Sequence, residues 1–244
     1  MTVELIRHER WAEIILNRPE RKNAITGPLG EALADALEAV SADDTINAVL
    51  FRGQGGAFCS GLDLDAFNAD PKPSWMDAWP TIWRRAHRAL YQCDKPIIAA
   101  LERYAINGGA ALILASDIVV TGEGAFLQVG EVKLGMAAPY NMAWLALRFS
   151  ESVSAQLAIL GERVYGPELH RLGIATQCVQ DDNVLARATD IAKQLGEYPP
   201  AAPARIKRTV RGYSGGRNDI DAWFDQAMTL SQGGAKPPPK AGLN

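Results

Sequence analysis

The 244 residues predict an α/β fold in which helices cover a sheet of buried strands, with a helical region following. Three observations carry this. NAVLFR (47–52), KPIIAAL (95–101) and DIVVTG (117–122) are short, largely apolar runs, the mark of strands covered on both faces. Stretches with helical apolar spacing separate them, which is the alternation that builds α/β layers. From Tyr140 onward the chain reads as helix after helix between glycine and proline breaks.

The elements follow in order. VELIRHE and WAEIILN, two short segments around a charged turn, predict a hairpin. After RPERKNAITG, Pro28 sits where a helix begins, and Leu29, Ala32, Leu33, Ala36, Leu37 and Val40 form one apolar stripe. NAVLFR then runs into the glycine-rich GQGGAFCSGLDL. Residues 66–92 are a polar and aromatic insertion in which Trp75, Trp79 and Trp83 recur every fourth position and lead into a helix ending near Gln92. These tryptophans read either as core packing or as the wall of an apolar pocket. INGGAALILASDI is the helix between the last two strands, with Asp117 a structural residue starting the next strand. Helices are expected at 141–149, 152–160, 167–172, 184–195, 202–211 and 219–230, with one short strand at TQCVQ. The tail SQGGAKPPPKAGLN is expected to lack regular structure. The division expected is 1–190 for the α/β core and 191–244 for a helical region and tail.

A hydrophobic fraction of 48% is ample for such a core. The N-terminus shows no signal or transit pattern, and no apolar run reaches the roughly 20 residues that cross a bilayer, so a cytoplasmic protein without membrane contact is expected. Twenty-five basic against 28 acidic residues, without a basic stripe, argue against nucleic acid as the partner. Cys59, Cys93 and Cys178 lack disulfide or zinc spacing, and His8, His87 and His170 fall singly, which points to packing rather than metal binding.

The loop after NAVLFR invites a nucleotide reading, but a dinucleotide fingerprint starting at Gly53 would need glycine where Phe58 stands, and no GK[ST] follows. Phe58 equally breaks a nucleophile elbow around Ser60, and Cys59 has no base near it in sequence. What remains is a repeated event at AFCSGLDL and at YAINGGAALILA: buried strand, small-residue loop, helix. The first N–H groups of a helix lack intrahelical partners, and glycine lets a ligand approach the backbone. If the two loops lie side by side, one N–H from each converges on a single oxygen, which is how an oxyanion is held. The same glycines also read as mere permission for close helix-to-sheet packing.

AFCSGLDL, then KPIIAALERYAINGGAALILASDIVV, then AFLQVGEVKLGMAAP, with RPERKNAI before them and LAILGERVYGPELHRLGIATQCV after, resemble the crotonase (enoyl-CoA hydratase/isomerase) superfamily over nearly the whole chain. The resemblance implies a spiral of ββα units whose C-terminal helices mediate trimerisation, hence a homotrimer or dimer of trimers. It implies an acyl-CoA thioester as substrate, with no separate cofactor or metal and coenzyme A arriving as part of the substrate. It places the enolate on the N–H groups of Leu62 and Gly108, and substrate contacts at Lys22, Ala24, Ser60, Leu62, Asp63, Leu64, Gly108 and Tyr140. Arg18 and Arg21 join Lys22 in the loop that faces CoA phosphates. Asn141 is a further candidate for the acyl pocket.

Family hydratases use two glutamates, and here the first position is Ala111 while the second is Glu131. Isomerases of the superfamily carry an apolar residue at the first position and resemble this chain in GLDL and in Ala138-Pro139-Tyr140. One-base double-bond isomerisation is therefore favoured. A hydratase, a one-carboxylate lyase and a non-catalytic acyl-CoA binding protein are the alternatives. Against the family pattern, GGAKPPPK follows AMTLSQ almost directly, so the last helix is shortened.

Overall fold

The computed structural model describes residues 1–213 and 219–232. The predicted hairpin is there: β1 (Val3–Arg7) and β2 (Trp11–Leu16) run antiparallel with Leu5 opposite Ile14. The Thr26 side chain accepts a hydrogen bond from the Leu29 N–H and caps α1 (Gly27–Ser41), whose first turn tolerates Pro28 because no donor is needed there. Leu29, Leu33, Ala36, Leu37 and Val40 are its buried face, with Ala32 packed at the margin. β3 (Ala48–Gly53) follows, then the single turn α2 (Leu64–Phe67), and α3 (Trp79–Gln92), which packs along α1. β4 (Ile97–Leu101), β5 (Tyr104–Ile106), α4 (Gly108–Ala115), β6 (Ile118–Gly122) and β7 (Phe126–Gln128) complete the central part.

The second half is helical, as its breaks imply: α5 (Pro139–Arg148), α6 (Glu151–Leu160), α7 (Gly166–Arg171), α8 (Val184–Glu197), α9 (Ala202–Tyr213) and α10 (Ile220–Leu230). The strands β8 (Arg163–Tyr165) and β9 (Gln177–Val179) interrupt it. From residue 233 on, the tail read as irregular lies outside the described residues.

The main sheet has the order β1-β2-β3-β4-β6-β9, and every pair after the hairpin is parallel. A parallel sheet must be covered on both faces. On one face α8 places Val184, Ala188, Ile191 and Ala192 against Trp11, Leu50, Ile98 and Val120. The division expected at residue 190 thus falls inside a helix whose residues on either side share one apolar cluster. The other face carries the larger cluster, to which α1, α3 and α4 contribute. A smaller sheet, β5-β7-β8, was not evident in the sequence, because three-residue strands are too short to show an alternation. Its aromatic cross-strand pairs, Tyr104 with Phe126 and Phe126 with Tyr165, hold it together.

α4 explains the chemically blank run ALILA. Gly109 through Ala115 are all buried, so this helix has no solvent face and takes no charge. Asp117 beyond its end is structural, as expected: it accepts from the Ile97 N–H at 2.9 Å and pairs with Lys207 at 2.5 Å and with Arg211 at 3.4 Å, tying α9 to the sheet. Lys207 also donates to the Lys95 carbonyl at 2.7 Å, and Arg211 to the Tyr91 and Cys93 carbonyls. Burial opposes ionisation of Asp117, yet Lys207, Arg211 and Arg148 hold its carboxyl below the ordinary range. Among the described residues no helix is long and apolar enough to cross a membrane.

Removing one partner of a buried pair strands the other charge. Asp117→Ala is expected to lose about 3 kcal/mol in urea unfolding, toward the lower end for such a break because Asp117 keeps 21% of its side chain exposed. Asp117→Ala combined with Lys207→Met recovers part of that loss. A single variant as stable as the parent would show that α9 is held by its apolar contacts alone.

Candidate active site

β3 and β4 are neighbours in the sheet, and this brings the loops that follow them together. The Phe58 N–H donates to the Tyr104 carbonyl at 3.0 Å and the Ile106 N–H to the Cys59 carbonyl at 3.0 Å, a short parallel ladder between loops. The 25–26 segment closes the other side: Ile25 N–H donates to Gly61 O at 2.8 Å and Asp63 N–H to Ile25 O at 2.9 Å. The contact requires glycine. Gly61 has φ +92, and a Cβ on Gly109 would lie 2.6 Å from the Cys59 carbonyl oxygen. Between these ladders the N–H groups of Leu62 and Gly108 have no acceptor among the described residues, and Gly108 opens α4, where the helix dipole is positive.

Asn107 sets that turn. At φ 52, ψ −116 it holds a backbone conformation that L-residues seldom adopt, and asparagine is among the few that tolerate positive φ. Its main chain and side chain are both anchored: N–H to Gln128 O at 2.8 Å, and Oδ1 accepting from Gly130 N–H at 2.9 Å. Gly130 precedes the 3-10 turn Glu131–Leu134, so the same asparagine fixes the start of the segment that carries the candidate base.

Glu131 is buried at 8% exposure, unlike the exposed loop residue that its neighbour Lys133 suggests. Its Oε1 accepts from Asn141 Nδ2 at 2.9 Å, while Oε2 is buried with no donor. Burial pushes its pKa up to about 7, against the opposing effects of its own turn N–H and of Asn141. The position that would hold a second carboxylate is Ala111, fully buried at 0% exposure.

The insertion supplies an aromatic column. Phe67, Trp75 and Trp79 meet edge-on, Trp79 stacks on Trp83 at 5.3 Å, Trp83 meets His87 edge-on, and His87 stacks on Tyr140 at 4.2 Å. The column fits the packing reading of the tryptophans, and Trp83 also comes near the start of α4. Trp83 is core at 6% exposure, yet its ring lies 3.9 Å from where a Gly108 Cβ would be, while Trp75 and Trp79 are half-buried. Tyr140 Oη accepts from Arg84 Nε at 3.3 Å. His87 accepts from Trp144 Nε1 at 2.9 Å and is kept neutral by burial, its pKa down to about 3. It is a packing histidine.

In the basic loop Asp63 is the centre of an ion-paired knot: Arg18 donates to it at 2.9 Å and Arg21 at 3.0 Å, and its side chain caps α2. Arg21 also reaches Asp65 at 2.7 Å. Two of the three cations in this loop are therefore engaged by carboxylates, and Lys22 is left exposed, its carbonyl accepting from the Ser60 N–H at 3.1 Å. Ala24 is buried, Ser60 half-buried and Leu64 exposed. Cys59 is wholly buried with its thiol pushed up to about 12 by desolvation, so it is no nucleophile. A cavity of about 450 Å³ is lined by Val129, Val132, Met136, Ala138, Met142 and Trp223 among others, and neither Glu131 nor Gly108 is among its lining residues.

The sequence pointed to Leu62, Gly108 and Glu131 and to Asn141 as a pocket residue, but not to Asn107 or to the hydrogen bond between Asn141 and Glu131. An asparagine directly before a double glycine was the available signal for Asn107, since that residue type tolerates the backbone such a turn needs.

Two glycine-dependent loops thus meet at a helix start, with one buried carboxylate beyond them. The enoyl-CoA hydratase/isomerase family model matches residues 7–232, and the chain belongs to that family. It is 32% identical over 216 residues to a 1,2-epoxyphenylacetyl-CoA isomerase of Escherichia coli (strain K12), covering 87% of this chain and 82% of that one. It is 28% identical over 207 residues to a 2,3-dehydroadipyl-CoA hydratase of the same organism, covering 84% and 80%. A solved enoyl-CoA hydratase/isomerase from Pseudoalteromonas atlantica superposes with a TM-score of 0.83 at 26% identity, over 95% of this chain and 90% of that one. The chain is thus a crotonase-fold enzyme.

Close approach of the two loops is the feature to break. Gly109→Ala drives a methyl group into the Cys59 carbonyl, and urea unfolding is expected to show a loss of about 1–3 kcal/mol, the usual range for overpacking. Unchanged stability would mean that the loops separate freely.

Proposed function

We propose that this protein isomerises the double bond of an enoyl-CoA thioester, using Glu131 as its only acid/base. The observation that supports it best is the state of that carboxyl: buried, one oxygen held by Asn141, the other without a partner, and alanine where a second acid would stand. The thioester oxygen is read as lying between the N–H groups of Leu62 and Gly108, donors that strengthen as the carbonyl becomes an enolate. Glu131 Oε2 takes the proton from the α-carbon, the β,γ electron pair shifts, and the same carboxylic acid returns the proton at the γ-carbon. No proton is gained or lost overall, and no further cofactor is needed. A pKa near 7 suits a base that must both accept and return a proton at neutral pH.

Substrate contacts belong to the same proposal. Lys22, Ala24, Ser60 and Leu64 surround the entrance loop, where the exposed Lys22 ammonium suits a phosphate of CoA, and Tyr140 with the tryptophan column walls the acyl side. Assembly as a homotrimer or dimer of trimers is part of the reading, consistent with the exposed apolar side chains Ile159, Leu160 and Leu230. Relatives named as hydratases keep hydration as the second reading, although Ala111 offers no second acid.

In deuterated buffer, a β,γ-enoyl-CoA is expected to give the conjugated thioester with deuterium at the γ-carbon, where the acid returns its proton, while crotonyl-CoA exchanges at that carbon without gaining water. Hydration of crotonyl-CoA would replace the isomerase reading with the hydratase one. Because the base must be ionised, kcat rises through about pH 7. Glu131→Gln is expected to lower turnover by about 10²–10⁴-fold with acyl-CoA binding retained. A carboxyl raised in the folded state stabilises the fold below its unfolded pKa and progressively less as pH climbs to about 7, so Glu131→Gln gains Tm relative to the parent at pH 8. Unchanged turnover would remove Glu131 from the mechanism.

A further inference from the structure

Asn141 lies in the first turn of α5, two residues after Pro139, is 2% exposed, and its side chain touches both halves of the candidate site. Its Nδ2 lies 2.9 Å from Glu131 Oε1 and 3.0 Å from the carbonyl oxygen of Asn107. Two acceptors at one nitrogen match the two hydrogens of an amide and fix which end is nitrogen. The Asn107 carbonyl belongs to the peptide unit that ends in the Gly108 N–H.

We propose that Asn141 is a positioning residue that serves both halves of the site at once, one amide hydrogen aiming the Glu131 carboxylate and the other polarising the Asn107–Gly108 peptide so that its N–H binds an enolate oxygen more strongly. A hydrogen bond accepted by a peptide carbonyl draws electron density from the nitrogen, so donor strength at the N–H rises, and such chains are cooperative in a dry interior. The second effect concerns geometry. With Oε1 pinned, Oε2 keeps one direction, and a base loses little ordering entropy when the substrate arrives. The α5 start is itself held in place, since Ala138 precedes it in a left-handed conformation at φ 49.

Among the described residues the neighbouring side chains leave Glu131 to this amide and to its own turn N–H. Lys133 on its own turn is exposed, Tyr140 is bonded to Arg84, Arg148 donates to the Leu114 and Ser116 carbonyls, and Glu151 on α6 and Glu162 just after it are exposed. On the α4 side there is no ionisable group, Gly108 to Ala115 being apolar.

The inference rests on the proposed acyl-CoA site, so its test carries one readout that needs no substrate. Full-length protein labelled with [5-13C]glutamate is titrated by NMR, the Glu131 resonance being the one missing in Glu131→Gln. Asn141→Leu, close in size and without donors, is expected to move the Glu131 midpoint upward from about 7, because one of the two donors to its ionised form is gone and only its own turn N–H remains. Bound [1-13C]crotonyl-CoA reports the other half: its carbonyl resonance moves toward the free-thioester position in the variant. At high pH, where Glu131 is ionised in both proteins, kcat falls about tenfold, equivalent to about 1.4 kcal/mol, with KM nearly constant. Asn141→Asp, almost identical in shape, carries the test if the leucine variant does not fold, and shifts the midpoint upward as well by adding a like charge. A Glu131 midpoint that stays in place in a folded variant, or a carbonyl resonance that does not move, overturns the proposal. Crotonyl-CoA that fails to bind the parent protein would instead sink the enzymatic reading, and the glutamate titration would still decide whether Asn141 governs Glu131.

Discussion

The site depends on the short ladder between the loop after β3 and the turn before α4. Three chain segments, 25–26, 58–63 and 104–109, meet there through backbone hydrogen bonds, with the Ile25 side chain packed against Gly108. Side chains are excluded by distance: a Cβ at Gly109 would overlap a carbonyl oxygen, and one at Gly61 would lie 3.1 Å from another. The donors left over, at Leu62 and Gly108, are positioned by the sheet itself, because their loops leave adjacent parallel strands. This is the general advantage of a backbone site, since no rotamer has to be frozen for the donors to point the same way.

Much of the fold was legible because burial writes itself as uninterrupted apolarity. NAVLFR, KPIIAAL and DIVVTG could only be covered strands, and each helix after Tyr140 announced its ends by glycine, proline or a polar cap. The small sheet was not legible, because Tyr104–Ile106, Phe126–Gln128 and Arg163–Tyr165 owe their pairing to partners far along the chain rather than to local preference. The same limit applies to the site. Two loops of small residues announced close backbone approach, but the burial of Glu131 depends on α5 folding over it, and nothing near Lys133 in sequence says so. Arg18 and Arg21 looked free for phosphate because Asp63 is 45 and 42 residues away in the chain.

Polar groups inside this site are few and each has more than one duty. Asn107 accepts from Gly130 through its side chain and from Asn141 through its carbonyl, and holds a strained φ that such bonds can maintain at a cost of about 1–3 kcal/mol. Two acceptors, Glu131 Oε2 and Asn141 Oδ1, stay buried without donors, and orphaned buried acceptors are themselves destabilising by about 1–3 kcal/mol each. Stability surrendered at one place in this way is common where a ligand is to complete the hydrogen bonding.

The all-apolar α4 has a consequence for how the protein fails. A helix with one wet face can fray or tilt on its own, so a site at its end is lost before the fold is. Here Gly109 to Ala115 have no face that water could solvate without opening the core, so the first turn cannot melt separately. The turn at Gly108 therefore shares the opening free energy of the core, and heat or denaturant abolishes it in the same step that dismantles the sheet around it.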